Sequence, residues 1–181
     1  MDILAAIIEL ILCVCAFWII IFLSTFLHEL GHALGYRIAA GRGPWHIRVG
    51  MGAKLLDTKR LTVKLLPFDG CFTPEKSEFD TKAKLITVLA GGPFVSLLLV
   101  IGLLLLKFGG VSLESEILAP GAVESFVSGA LSLNVFILIM TLLPTHYFYG
   151  ETKGMETDGL KIIHTIQGKK EQPAKENAED L

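Results

Sequence analysis

Three long apolar stretches constrain what this chain can fold into more than any other feature of its sequence. Residues 3–27 contain one charged side chain, Glu9, and residues 85–106 and 125–143 contain none. Each stretch approaches or exceeds the roughly 20 residues that a helix needs to cross a bilayer. The sequence therefore predicts an α-helical, polytopic membrane protein. Its predicted transmembrane helices span about 3–40, 85–107 and 121–143.

The charge balance and the composition exclude other classes of protein. The 181 residues include 16 Lys and Arg against 18 Asp and Glu, so the chain lacks the basic excess that a nucleic-acid partner would require. With 52% hydrophobic residues it is also too apolar to be disordered. Because the first stretch follows an acidic start and exceeds the apolar run of about 7–15 residues in a signal peptide, we expect a permanent helix there.

The distribution of Lys and Arg predicts how the chain crosses the membrane. Residues 36–84 carry ten of them, the loop at 107–120 carries only Lys107, and the segment from residue 144 onward carries five. Basic residues are enriched in cytoplasmic loops. We therefore expect a multi-pass membrane protein with its N-terminus outside and its C-terminus in the cytoplasm. The membrane itself is expected to be a bacterial cell membrane.

Between residues 45 and 72 the apolar pattern changes to that of β strands. Trp45, Ile47 and Val49 alternate with polar residues, and the same two-residue period recurs after residue 60. We predict a β hairpin or small sheet over about 45–72 at the membrane surface. Its turn is expected near residues 57–59, and Asp69-Gly70 predicts a further turn.

The C-terminal part of the chain is predicted to contain one short helix. That helix spans about 158–167, and residues 1–168 are expected to form a single membrane-embedded domain. Residues 169–181 are rich in Lys, Glu and Ala and are expected to form a mobile cytoplasmic tail.

The segment His28-Glu29-Leu30-Gly31-His32 at the end of the first apolar stretch has the HExxH pattern. On a helix, residues four apart share a face, so both imidazoles can bind one metal ion while Glu29 reaches an activated water. Ionisable residues near the end of a membrane helix are costly and usually functional. The alternative is a structural one, in which two interfacial histidines lie beside a carboxylate that extends to water.

A catalytic zinc site normally has three protein ligands and a water, so a third ligand must come from elsewhere in the chain. The residue types that suit it are found at Asp57, Asp69, Asp80, Asp158, His46, His146 and His164. Taken alone, Asp69 is typical of a turn and Asp158 of the start of a helix, whereas His146 follows the third apolar stretch. The residues alone leave the choice open.

Several motifs together resemble the site-2 protease family of intramembrane zinc metalloproteases. They are His28 to His32, Ala90-Gly91-Gly92-Pro93, and Leu142-Leu143-Pro144 followed by Asp158-Gly159-Leu160, all in the order of the family. Residues 66–70 also resemble the family's Pro-x-Gly-Gly turn, with Asp69 in place of a glycine. The resemblance implies that His28, His32 and Asp158 bind one Zn²⁺ per chain and that Glu29 is the catalytic base.

Besides Asp69, the chain departs from the family at three places. Thr141 and Ser96 stand where the family has asparagines, and residues 145–157, here called the insertion loop, separate Pro144 from Asp158. The missing amides are plausible hydrogen-bond donors to the transition state. Thr141, Ser96 and the nearby Asn134 are therefore candidate transition-state or substrate contacts, and the alternative is that all three are polar residues of helix packing.

These observations predict an intramembrane zinc metalloprotease that cleaves within or near a transmembrane segment. The resemblance implies a membrane-protein or peptide-precursor substrate, and we expect membrane lipid but no nucleic acid among the partners. A homodimer or a partner membrane subunit could complete the helix bundle. The alternatives are a catalytically inactive zinc-binding scaffold and a metal transporter, for which the second helix offers only Thr87 and Ser96 as polar residues.

Overall fold

The computed structural model describes residues 3–41, 43–75, 79–109 and 121–169. Their elements are, in chain order, α1 (Ile3–Ala40), β1 (Trp45–Asp57), β2 (Leu61–Pro74), α2 (Lys82–Phe108), α3 (Ala122–Leu142) and α4 (Asp158–Gln167). The predicted tail lies outside the described residues from residue 170 onward.

Three of the helices, α1, α2 and α3, are long and apolar enough to cross a membrane. Most of their apolar side chains point away from the rest of the protein, as expected for helices surrounded by lipid. The predicted bounds of α1 and α4 agree with the structure, and those of α3 differ by one residue at each end. The start of α2 is earlier than predicted because Thr81 caps it, its hydroxyl accepting a hydrogen bond from the amide of Lys84.

The predicted β region forms a two-stranded antiparallel sheet whose turn lies at the predicted place, between Asp57 and Leu61. The sheet is more curled than a simple hairpin, since Ile47 pairs with both Leu61 and Phe72. The prediction of a turn at Asp69-Gly70 is wrong, because both residues lie inside β2. The chain bends in β1 instead, where Gly50 and Gly52 have φ of +93° and +82° beside a series of register shifts.

The sheet packs along the second half of α1. The indole Nε1 of Trp18 donates to the carbonyl of Leu65, and the hydroxyl of Thr25 donates to the carbonyl of Pro67. Further along α1, Tyr36 packs against Phe72 of β2. The sheet therefore covers the face of α1 that carries the HExxH segment.

Helices α1 and α2 cross with their backbones in contact at Gly31 and Gly91. A Cβ atom on either glycine would overlap the carbonyl group of the other. The Gly91-Gly92-Pro93 segment thus allows the close backbone approach that its sequence suggests, which is typical of small residues at membrane helix interfaces. This crossing brings α2 directly against the HExxH segment.

Candidate metal centre

Three side chains from two helices meet at one point: His28 and His32 of α1 and Asp158, the first residue of α4. The Nε2 atoms of the two histidines are 3.3 Å apart, and each is 3.3 Å from Oδ2 of Asp158. All three residues are buried. Within the described part of the chain, they are the one group of three such residues whose ligand atoms converge.

The geometry and the chemistry of this group fit a zinc ion. Tetrahedral zinc with bonds of about 2.0–2.1 Å holds its ligand atoms about 3.3–3.4 Å apart, which is the separation found here. Oδ2 of Asp158 is also buried without a hydrogen-bond partner among the described residues, and a buried acceptor of this kind normally has one. A cation bound between the three atoms would satisfy it and leave a fourth coordination position open.

Both imidazoles are oriented from α2 through their second ring nitrogen. Nδ1 of His32 donates a hydrogen bond to the carbonyl of Val88 at 2.8 Å, so Nε2 keeps its lone pair for a metal. Nδ1 of His28 is hydrogen bonded to the hydroxyl of Ser96 at 2.9 Å. Ser96, one of the candidate transition-state or substrate contacts, thus also contacts a candidate metal ligand.

Gly92 of α2 provides the space in which the two imidazoles meet. A Cβ atom at this position would overlap Nε2 of His32 and lie 2.8 Å from Nε2 of His28. Any larger residue would therefore displace the two nitrogen atoms from their present positions.

Asp158 is held in place by the start of α4. Thr157 caps this helix by accepting a hydrogen bond from the amide of Leu160, and its hydroxyl donates to the carbonyl of Leu143 at 2.6 Å. Burial alone would raise the pKa of Asp158, but His32 and His28 outweigh this effect and lower the pKa below its ordinary value. The lowered pKa favours the anionic carboxylate, which is the form that a zinc ligand must have.

Glu29 lines the same cavity as the three candidate ligands. It is buried, yet its carboxylate has no hydrogen-bond partner among the described residues. Gly70 of β2 makes room for it, because a Cβ atom there would overlap Oε1 of Glu29. Glu29 is therefore placed beside the candidate metal centre with its carboxylate available to a water molecule.

The other candidates for a third ligand, with the exception of His146, have partners elsewhere. Asp69 accepts hydrogen bonds from the amide of Glu151 and the hydroxyl of Thr152, both at 2.8 Å, and pairs with Arg48 at 3.2 Å. The remaining pairs are His46 with Thr62, Asp57 with Lys54, Asp80 with Lys84, and His164 with Glu156. The side chain of His146 is exposed.

The insertion loop folds into a short antiparallel ladder that closes one side of the cavity. The amide of Tyr147 donates to the carbonyl of Met155, and the amide of Thr157 donates to the carbonyl of Thr145. Asp69 holds the tip of this loop against β2, where Glu151 also pairs with Lys64. The hydrogen bond from Lys64 lowers the pKa of Glu151, which favours the ionised form of this carboxyl group.

Four residues of the insertion loop line the cavity and were missed by the sequence analysis. They are Tyr147, Thr152, Met155 and Glu156. The sequence of this loop has no regular apolar pattern, so nothing in it predicts which of its side chains face a cavity. A signal was nevertheless present, because Asp69 and the insertion depart from the family pattern together and the structure shows them in contact.

The remaining polar candidates lie on α3. The amide nitrogen of Asn134 donates to the hydroxyl of Ser24 and to the carbonyl of Ala130 within α3, which is a helix-packing arrangement. The hydroxyl of Thr141 donates to the carbonyl of Leu138, and Thr141 lines a second cavity that adjoins Glu29.

The fold and this centre together define an integral membrane protein with a buried group of two histidines and one aspartate. The sequence model of peptidase family M50 matches residues 16–113, which is more than half of the chain. The chain therefore belongs to peptidase family M50, the site-2 protease family, and the resemblance seen in its motifs is confirmed. No curated protein and no solved structure matches the chain.

Proposed function

We propose that this protein is an intramembrane zinc metalloprotease that hydrolyses a peptide bond in or near a transmembrane segment. The observation that carries the proposal is the triangle of 3.3 Å between His28, His32 and Asp158, with Glu29 in the same cavity. Membership of a family of zinc metalloproteases supports it. The substrate class is a membrane protein or a peptide precursor.

His28, His32 and Asp158 would hold the zinc ion. When bound, zinc supplies Lewis acidity, which lowers the pKa of water towards about 7 and polarises a carbonyl group. The contribution of the protein is to hold the three ligand atoms at fixed separations, through the contacts of His28 and His32 with α2 and through the cap of α4.

Glu29 would act as the general base and then as the general acid. Its carboxylate takes one proton from water while the water oxygen attacks the carbonyl carbon, and the electron pair of the C=O bond moves onto oxygen. When this electron pair re-forms the C=O bond, the C–N bond breaks and the leaving nitrogen takes the proton from Glu29. One water is consumed, and the products are a carboxylic acid and an amine.

The substrate must be extended before it can react, because a transmembrane helix keeps its backbone groups hydrogen bonded internally. Gly70, Cys71, Phe72 and Pro74 of β2 line the cavity. An unwound segment could therefore pair with the backbone of this strand while its scissile bond lies near Glu29. The orientation expected from the basic residues would put this end of α1 at the cytoplasmic face.

The two alternatives have less support. A scaffold that only binds zinc has no need of an unpaired carboxylate beside the centre, as found at Glu29. A metal transporter needs further polar sites along its path, and the described residues contain no second group of three metal-ligating side chains.

The test compares Glu29→Gln with wild type in cells that lack the native copy of the protein. Quantitative mass spectrometry of the membrane fraction should reveal proteins that accumulate uncut with Glu29→Gln but not with wild type. Glu9→Gln, the same change at an exposed position of α1, is the matched control and should behave as wild type. Normal cleavage by Glu29→Gln would exclude the assigned base, and a zinc-loaded wild type that leaves every membrane protein intact would favour the scaffold.

A further inference from the structure

We propose that the hydroxyl of Tyr147 donates a hydrogen bond to the oxyanion that forms on the scissile carbonyl. This makes Tyr147 a catalytic residue supplied by the insertion loop. The inference rests on the proposed proteolytic function and adds to it the group that stabilises the transition state.

The chain needs such a donor because its other polar candidates are engaged elsewhere. Negative charge develops on the carbonyl oxygen during attack, and preorganised donors stabilise it. Of the three polar candidates from the sequence, Ser96 contacts His28, Asn134 donates to Ser24, and Thr141 donates within its own helix.

The position of Tyr147 fits the role. It lines the cavity that contains His28, Glu29, His32 and Asp158, and it also lines the adjoining cavity that contains Thr141. Its neighbours His146 and Phe148 are exposed, whereas Tyr147 is partly buried, as expected where side chains alternate along an extended segment. The ring therefore points inward, towards the two cavities that it lines.

The chemistry of Tyr147 also fits. Its hydroxyl has no hydrogen-bond partner among the described residues, so it is available to a substrate. Burial, together with the nearby carboxylates of Asp158 and Glu29, raises the pKa of Tyr147, so the hydroxyl keeps its proton and remains a donor.

Two other side-chain donors of the cavity are already engaged or weak. The hydroxyl of Thr152 donates to Asp69, and the thiol of Cys71 is a weak donor that contacts the carbonyl of Phe72. Lys161 also lines the cavity and has interactions of its own. It is the rival donor that an experiment must separate from Tyr147.

Asp69 would be the positioning residue for this tyrosine. It binds the amide of Glu151 and the hydroxyl of Thr152, and the amide of Tyr147 is hydrogen bonded to Met155 across the same loop. Two of the departures from the family pattern, Asp69 and the insertion, would then act together to position Tyr147.

The experiment uses two probes with the zinc-loaded, full-length protein in detergent. One is a leucine-rich transmembrane peptide with a central Gly-Pro pair, and the other is its phosphinic analogue, which carries a negatively charged tetrahedral centre. Zinc content and thermal unfolding are measured for every variant. Tyr147→Phe should retain its zinc and its stability.

We expect kcat of Tyr147→Phe to fall by about 100-fold with little change in KM, as for the loss of one oxyanion donor. The affinity for the phosphinic analogue should fall in parallel, which a purely structural role would not produce. Tyr36→Phe is the matched control, since it removes a buried hydroxyl that has no partner among the described residues and lies outside the cavity.

Three results would overturn the assignment of Tyr147. They are an unchanged kcat and analogue affinity in Tyr147→Phe, an equal loss in Tyr36→Phe, or a loss in Lys161→Met that Tyr147→Phe does not share. Failure of zinc-loaded wild type to cleave the peptide would instead contradict the proteolytic function itself, and the role of Tyr147 with it.

Discussion

The carboxylate of Asp69 accepts a 2.8 Å hydrogen bond from the backbone amide of Glu151, which lies 82 residues further along the chain. This contact joins the middle of β2 to the tip of the insertion loop. Asp69 is buried and also pairs with Arg48, so its carboxylate is shielded from water although Glu151 itself is exposed. A single carboxylate thus fixes the part of the cavity wall that the insertion loop forms.

We predict that Asp69→Ala loosens the insertion loop and lowers the free energy of unfolding by about 2–4 kcal/mol. It removes one partner of a largely buried ion pair and leaves the donors of Glu151 and Thr152 unsatisfied. Thermal unfolding and hydrogen exchange at the Glu151 amide would measure the effect. Asp80→Ala, which removes an exposed carboxylate that pairs with Lys84, is the control and should change neither quantity to a comparable extent.

We predict that the zinc content falls from about one ion per chain to nearly none in His28→Ala, His32→Ala and Asp158→Ala, since a catalytic site needs all three protein ligands. Elemental analysis of the detergent-purified protein would measure this without knowledge of a substrate. His164→Ala should retain its zinc, because His164 pairs with Glu156 outside the centre. Unchanged zinc in Asp158→Ala would contradict the assignment of the third ligand.

Gly92→Ala should also abolish zinc binding, although glycine is not a ligand. The Cβ atom of the introduced alanine would overlap Nε2 of His32. The imidazole ring cannot move freely, because its Nδ1 is hydrogen bonded to the carbonyl of Val88. Gly102→Ala, in the same helix, is the control, since no atom lies within 4 Å of its added Cβ. If Gly92→Ala bound zinc as tightly as Gly102→Ala, the position of the two imidazoles described above would be incorrect.

Ser96→Ala should weaken zinc binding by about 10–100-fold, the usual effect of removing a group that orients a ligating histidine. The lost contact is the 2.9 Å hydrogen bond to Nδ1 of His28. Competition with a chelator of known affinity would measure the change. Asn134→Ala loses a buried hydrogen bond between α1 and α3 but should keep the affinity of wild type. Equal losses in the two variants would indicate general destabilisation.

The parts of this fold that the sequence predicts well are those with a strong local pattern. Long apolar runs give the three spanning helices, and the two-residue period gives the sheet. The HExxH spacing puts His28 and His32 on one face of α1, and the structure brings Asp158 to the same point, as the resemblance implied.

The parts that could not be predicted depend on contacts between distant segments. Asp69-Gly70 is a typical turn sequence, but pairing with β1 and the hydrogen bonds from the insertion loop keep it extended. The sequence indicates for Ser96 either a transition-state or substrate contact or a helix-packing role, because nothing in it shows that Ser96 lies beside His28. The inward position of Tyr147 likewise depends on the anchoring of a loop that has no regular pattern.

The backbone contact between Gly31 and Gly91 limits how this sequence can vary over evolution. When two side chains touch, a change in one can be compensated by a change in the other. Here each glycine contacts a main-chain carbonyl of the other, and no substitution can remove a main-chain group. Neither glycine can therefore be replaced, even if its partner changes as well. Nearby lipid-facing residues such as Leu34 and Phe94 need only remain apolar. We therefore expect almost no amino-acid substitution on the face where α1 and α2 cross. On the opposite face, exchange among apolar residues should have little effect.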